Sequence, residues 1–115
     1  MKYVMLICGP DEWDGDPDQE AADMERIGAW MEAQSAAGAI AHPGYQLAAP
    51  ATARTLRPGA DSTAIVTDGP FVEAQEVIGG VVVLEHDNID DAVKAASEWV
   101  RINPAWAIEV RPVVA

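Results

Sequence analysis

The chain predicts an α+β domain of element order β-α-β-(hairpin)-β-α-β, the ferredoxin-like pattern, and three observations predict it. Two apolar runs, Tyr3–Cys8 and Val81–Leu84, have the length and side-chain type of strands buried on both faces. Two segments, 17–37 and 88–102, carry apolar residues at helical spacing behind capping residues. Short extended runs broken by glycine and proline fill the space between them, so strands bracket and separate the helices.

Taken in order, Tyr3–Cys8 is continuously apolar and bounded by Gly9-Pro10. Residues 11–25 hold eight acids and no base. The Asp-Gly-Asp-Pro-Asp run at 14–18 invites calcium, but its spacing does not fit an EF-hand loop and no glutamate closes it. A helix start accounts for it better. Asp16 serves as N-cap, Pro17 as the first helical residue and Gln19 as the capping-box partner, with acids well placed on the helix dipole. The helix runs to Ala37 and ends at Gly38. Met24, Ile27 and Met31 form its stripe, with Trp30 on the flank. A short strand follows from Ala39 into a kink at His42-Pro43-Gly44, where proline argues for an edge or a strand end. Runs at 51–57 and 63–67 about Pro58-Gly59 read as an inserted hairpin. Gly79–Glu85 is the strongest strand. Asn88 or Asp87 caps the second helix, and Ile89, Val93, Ala96 and Val100 form its stripe. Asn103-Pro104 stops it, and Ala107–Val113 is the last strand.

Composition sets further bounds. The 115 residues suit a single domain, 1–115, and half of them are apolar, enough for a core. Nineteen acids against seven bases give a net charge of −12, which repels phosphate backbones and argues against direct nucleic-acid binding. The one cysteine, Cys8, cannot form an internal disulfide and reads as a small buried hydrophobe. The apolar opening is too short for a signal peptide or a membrane span, so a cytoplasmic location is expected.

The segment Val66–Gly80 organises the rest. Asp68 can bond the backbone ahead of it, Gly69 tolerates positive φ and Pro70 fixes φ near −65°. Phe71, the only phenylalanine, offers an apolar anchor at this turn. Asp68, Glu73 and Glu76 place three carboxylates within nine residues. They suit either a rigid connection whose acids pair with arginines or a ligand site. Arg54, Arg57 and Arg111 lie on predicted strands, where guanidinium groups can pair with those acids or hold an anionic substrate. There are two histidines. His42 is either an exposed loop residue or a cleft residue at a strand end, and His86 reads as a surface residue. The candidate site is therefore Asp68 and His42 as acid–base groups, with Arg54, Glu73, Glu76 and Arg111 binding substrate. No phosphate loop, zinc-ligand spacing or Ser/His/Asp arrangement is evident, so neither metal nor cofactor is expected.

The Asp68-Gly69-Pro70-Phe71 turn, the Glu73 and Glu76 pair and Gly79-Gly80 come with a Met1–Ile7 opening of Met-Lys-Tyr-Val-Met-Leu-Ile. Leu47, Ala51-Thr52-Ala53-Arg54 and Glu109-Val110-Arg111-Pro112 complete the set. In these residues the chain resembles the DGPF branch of the YciI-like (YCII-related) family across nearly its whole length. The resemblance implies a ferredoxin-like fold of the dimeric α+β barrel type, a homodimer formed through the sheet, and no settled activity. Some relatives are associated with a His–Asp pair and elimination chemistry, as in a chlorinated hydroquinone dehydrochlorinase. Their histidine lies in the first helix, and segment 17–37 contains none. Only Asp68 carries over, with His42 a substitute from another element. Relatives are often encoded beside extracytoplasmic-function sigma factors, which suggests a stress-response context. Three classes follow: a small cofactor-independent enzyme acting on an anionic or aromatic metabolite, a non-catalytic ligand-binding or accessory protein, and a structural dimer module. The dimer is also expected on physical grounds, because two helices cover one sheet face and the strands are apolar on both.

Overall fold

Residues 1–10, 16–70 and 76–114 are described by the structure, a computed structural model. The chain runs β1 (Lys2–Pro10), α1 (Pro17–Ala36), β2 (Ile40–Gln46), β3 (Arg54–Pro58), β4 (Ala64–Asp68), β5 (Glu76–Glu85), α2 (Ile89–Ile102) and β6 (Ala107–Pro112), with a 3-10 turn at Pro50–Thr52. Four strands form an antiparallel sheet in the order β2-β5-β1-β6, and β3 and β4 form a separate ribbon. This is the ferredoxin-like α+β arrangement, with the extra hairpin between the second and third sheet strands. Pro43 lies on the outer strand β2, where its missing N–H interrupts nothing central. Among the described residues no helix is long and apolar enough to cross a membrane.

Register decides which side chains meet the helices. Tyr3 stands opposite Leu84, and Met5 opposite both Val82 and Val110. That face carries the core: Met5 and Leu84 are fully enclosed, with Trp30, Ala92, Ala95, Ala96 and Trp99 over them. The alternate residues, Val4, Leu6, Val81 and Val83, turn to the other face and are only half-buried. A bulge between Ile7 and Cys8 shifts the register, and β1 continues through Gly9 and Pro10, past the boundary expected from sequence.

Asp16 caps α1, its Oδ1 accepting from the Asp18 N–H at 3.0 Å, and Pro17 opens the helix. Gln19 does not close a capping box. Its Nε2 donates instead to Asp23 Oδ1 at 2.9 Å. Trp30, expected on the flank, is the buried residue of α1, and its indole N–H donates to Ala95 O of α2 at 3.0 Å. Asn88 caps α2 by accepting from the Asp91 N–H at 2.9 Å. The buried face of α2 is Ala92, Ala95, Ala96 and Trp99, while Ile89, Val93 and Val100 are exposed. The stripe expected from sequence is thus rotated by about one residue, roughly 100° around the helix. The reason is close approach: alanines let α1 come near enough for Trp30 to reach the α2 backbone.

The molecule measures 50 × 40 × 18 Å, its short dimension being one sheet and one helix layer. Its radius of gyration is 16.2 Å, against about 13 Å for a compact chain of this length. The β3–β4 ribbon contributes to that spread, and Leu56, Ile65 and Val66 on it are each more than half exposed.

Candidate functional site

Arg54 and Asp68 are cross-strand partners at the base of the ribbon, and Arg54 Nε lies 3.1 Å from Asp68 Oδ1. Gly69 has φ of +98°, which only glycine adopts freely, and the Thr55 hydroxyl donates to Gly69 O at 2.7 Å. Gly69 thus takes the positive φ its sequence allows, while the bonds that hold it are the one from Thr55 and one that its own N–H donates to Ala53 O. Asp68 nevertheless stands 87% exposed, so its ion pair is solvated and contributes about 0–1 kcal/mol. Glu73 and Phe71 lie outside the described residues, as do the acids of 11–15. Glu76 opens β5 opposite Pro10.

His42 is exposed on the outer strand. Its Nδ1 accepts from the Gly44 N–H at 2.8 Å, and its ring centroid lies 5.4 Å from that of Tyr45. The imidazole thus braces the kink at Pro43. Arg111 is exposed on the opposite outer strand, 3.9 Å from Glu109 Oε2. Register sets His42, Val83, Val4 and Arg111 in one row across the sheet, so His42 and Arg111 lie about three strand spacings, or ~14 Å, apart. The structure brings Arg54 and Asp68 together and leaves His42 and Arg111 at separate edges. His86, expected at the surface, is half-buried, and its Nε2 is shielded without a hydrogen-bond partner among the described residues.

A concave feature lies elsewhere. A cavity of about 460 Å³ opens between α1, α2 and the helix-facing side of the sheet. Glycines create it. Gly79 and Gly80 interrupt the valine-rich β5, leaving no side chain where Val82 and Leu84 fill the core further along. Trp106 occupies part of that space: a Cβ on Gly9 would fall 2.0 Å from its ring, and one on Gly79 would fall 2.6 Å away. Gly44, with φ of +75°, brings β2 so close to β5 that a Cβ would meet Val81 O at 1.6 Å. The walls are apolar, formed by Ile27, Met31, Val82, Trp99 and Trp106.

Polar groups enter from few places. Glu20 and Asp23, one turn apart on α1, line the cavity together with Gln46 and Asn103. The Asp23 side chain is 13% exposed, and its Oδ1 also accepts from Arg26 Nη2 at 3.2 Å. None of His42, Arg54, Asp68 and Arg111 lines this cavity. Sequence reasoning missed it because Glu20 and Asp23 were absorbed into helix-dipole logic. The available signal was a glycine pair inside a β-branched strand, with two methionines and two tryptophans to frame the gap. Among the described residues no cluster of three or more His, Cys, Asp or Glu side chains is arranged to hold a metal ion.

Comparison with known proteins accords with this architecture. The YCII-related domain matches residues 1–115. An uncharacterised protein of Rhizobium meliloti (strain 1021) is 32% identical over 118 residues, spanning 97% of this chain and 91% of that relative. Matched over its whole length and built on a ferredoxin-like sheet, the chain belongs to the YCII-related family.

Proposed function

We propose that this YCII-related domain binds an apolar or aromatic small molecule and acts as a homodimer, within the DGPF branch marked by Asp68-Gly69-Pro70-Phe71. The cavity between the helices and the sheet carries the reading. Its 460 Å³ falls within the roughly 300–1,000 Å³ of small-molecule sites, and a few polar groups beside apolar walls are what such sites use to orient a ligand. The dimer draws support from the open sheet face. Val4, Leu6, Val81 and Val83 stay only half-buried on the face away from the helices among the described residues, and the ribbon adds the exposed Leu56, Ile65 and Val66. Apolar surface of this kind is normally covered, and a twofold copy is the simplest cover.

A second reading, cofactor-independent proton transfer or elimination, uses Asp68 and His42 as acid–base groups with Arg54, Glu73, Glu76 and Arg111 binding substrate. The Arg54–Asp68 pair supports it, because a partner seated over the open face would desolvate groups that water now screens.

The neutral fluorophore N-phenyl-1-naphthylamine tests the binding reading. Saturable binding of one probe per chain, with reduced emission from Trp99 and Trp106, is expected. Met24→Trp, which enlarges a half-exposed cavity-lining residue, abolishes it. Absence of saturable binding, or binding untouched by Met24→Trp, contradicts the reading.

A further inference from the structure

The charge of the ligand is also legible, given that the cavity is a ligand site. Its two ionisable acids, Glu20 and Asp23, are the charged side chains on its lining; no lysine, arginine or histidine joins them there among the described residues. Asp23 is already offset by Arg26, whose guanidinium sits 3.2 Å away on the next turn. Glu20 is left as the surplus charge, so the described residues of the lining carry a net charge of one negative unit. The positive end of the α1 dipole does not reverse this. Asp16 caps it, Asp18 and Glu20 stand in its first turn, and the Glu20 N–H already donates to Asp16 O at 2.9 Å.

We infer that the cavity takes an organic monocation: a primary or secondary ammonium group at the Glu20–Asp23 rim, joined to an apolar or aromatic body among Ile27, Met31, Trp99 and Trp106. An anion would enter against the surplus charge of Glu20, where like charges repel. A neutral ligand would displace water from Glu20 and return nothing for it. A cation pairs with Glu20 and is attracted by indole rings, while the methionine thioethers adapt to its shape. The net charge of −12 further concentrates cations near the molecule. The arginines suited to an anionic substrate, Arg54 and Arg111, are not on this lining.

Three ligands of nearly equal size separate the charge states: 4-phenylbutylammonium, 4-phenylbutanol and 4-phenylbutyrate. Each is titrated into the intact protein by calorimetry at low ionic strength, with tryptophan emission read in parallel. The cation binds about tenfold more tightly than the alcohol, as one partly exposed ion pair and one indole contact together imply. The carboxylate binds most weakly. Because Glu20 is exposed, Glu20→Gln keeps the fold, and far-UV circular dichroism checks this. It brings the cation to within about threefold of the alcohol, both measured on the same variant. An alcohol that binds as tightly as the cation, or a preference that survives Glu20→Gln, overturns the assignment while the cavity stands as a ligand site. If none of the three binds saturably, the cavity is not such a site and both readings fall.

Discussion

One added methyl group tests how the cavity is built. At Gly9 and Gly79 a Cβ would overlap the Trp106 ring, at 2.0 and 2.6 Å, so alanine at either position must displace the indole. Each substitution is expected to lower stability by about 1–3 kcal/mol and to shift tryptophan emission, as urea unfolding and fluorescence will record. Gly28 is the control. It lies within α1, and a Cβ there would meet nothing within 4 Å, so Gly28→Ala should raise stability by about 0.5–1 kcal/mol. Asp68 behaves differently again. Being 87% exposed, it should change stability by less than about 1 kcal/mol on Asp68→Asn; a loss several times larger would show that a partner buries it. At the ribbon tip, the Thr63 hydroxyl and then the Thr63 N–H donate to Asp61 and, with the Asp61 N–H, hold its carboxyl below the ordinary aspartate value. A depressed folded-state pKa favours the ribbon above the unfolded value, and that preference is lost as pH falls through the folded one. A carbon-13 NMR titration should therefore place the Asp61 midpoint below that of a free aspartate, and an ordinary midpoint would contradict the contacts.

At the scale of elements, local chemistry was legible and mutual approach was not. Asp16, Pro17, Asn88 and the Pro58-Gly59 turn act within a few residues of themselves, and the structure uses each where the sequence places it. The α2 face was misread because Ile89, Val93 and Val100 outweigh alanine in hydropathy, whereas burial was decided by how closely α1 could come. The cavity was hidden for a related reason. A missing side chain at Gly80 becomes a void only when register sets it beside Ile7 beneath two helices. Trp30 should be the residue that joins those helices. Trp30→Ala is expected to lose about 3–5 kcal/mol, whereas Trp30→Phe keeps most of the packing and loses the 3.0 Å bond to Ala95 O with part of the ring, about 1–3 kcal/mol. Equal losses on chemical unfolding would mean the bond, not the packing, holds the pair.

For the whole molecule, thinness is the informative property. A body 18 Å deep, with Val4 and Val83 only half-buried on the two central strands among the described residues, asks for a second layer. The homodimer proposal predicts that Val83→Lys shifts sedimentation from dimer toward monomer while leaving the helix signal in circular dichroism intact; a wild-type chain that sediments as a monomer at micromolar concentration would refute it. The same geometry separates two places where chemistry could occur, the acidic turn read from sequence and the cavity read from structure. Nitrogen-15 NMR of the protein titrated with N-phenyl-1-naphthylamine distinguishes them in one spectrum. A probe seated in the cavity perturbs the Trp99 and Trp106 indoles and the amides of Ile27, Met31 and Gly79, and leaves Arg54 and Asp68 unmoved. Perturbations centred on Arg54, Asp68 and Gly69, with the two indoles silent, would contradict the cavity as the binding site.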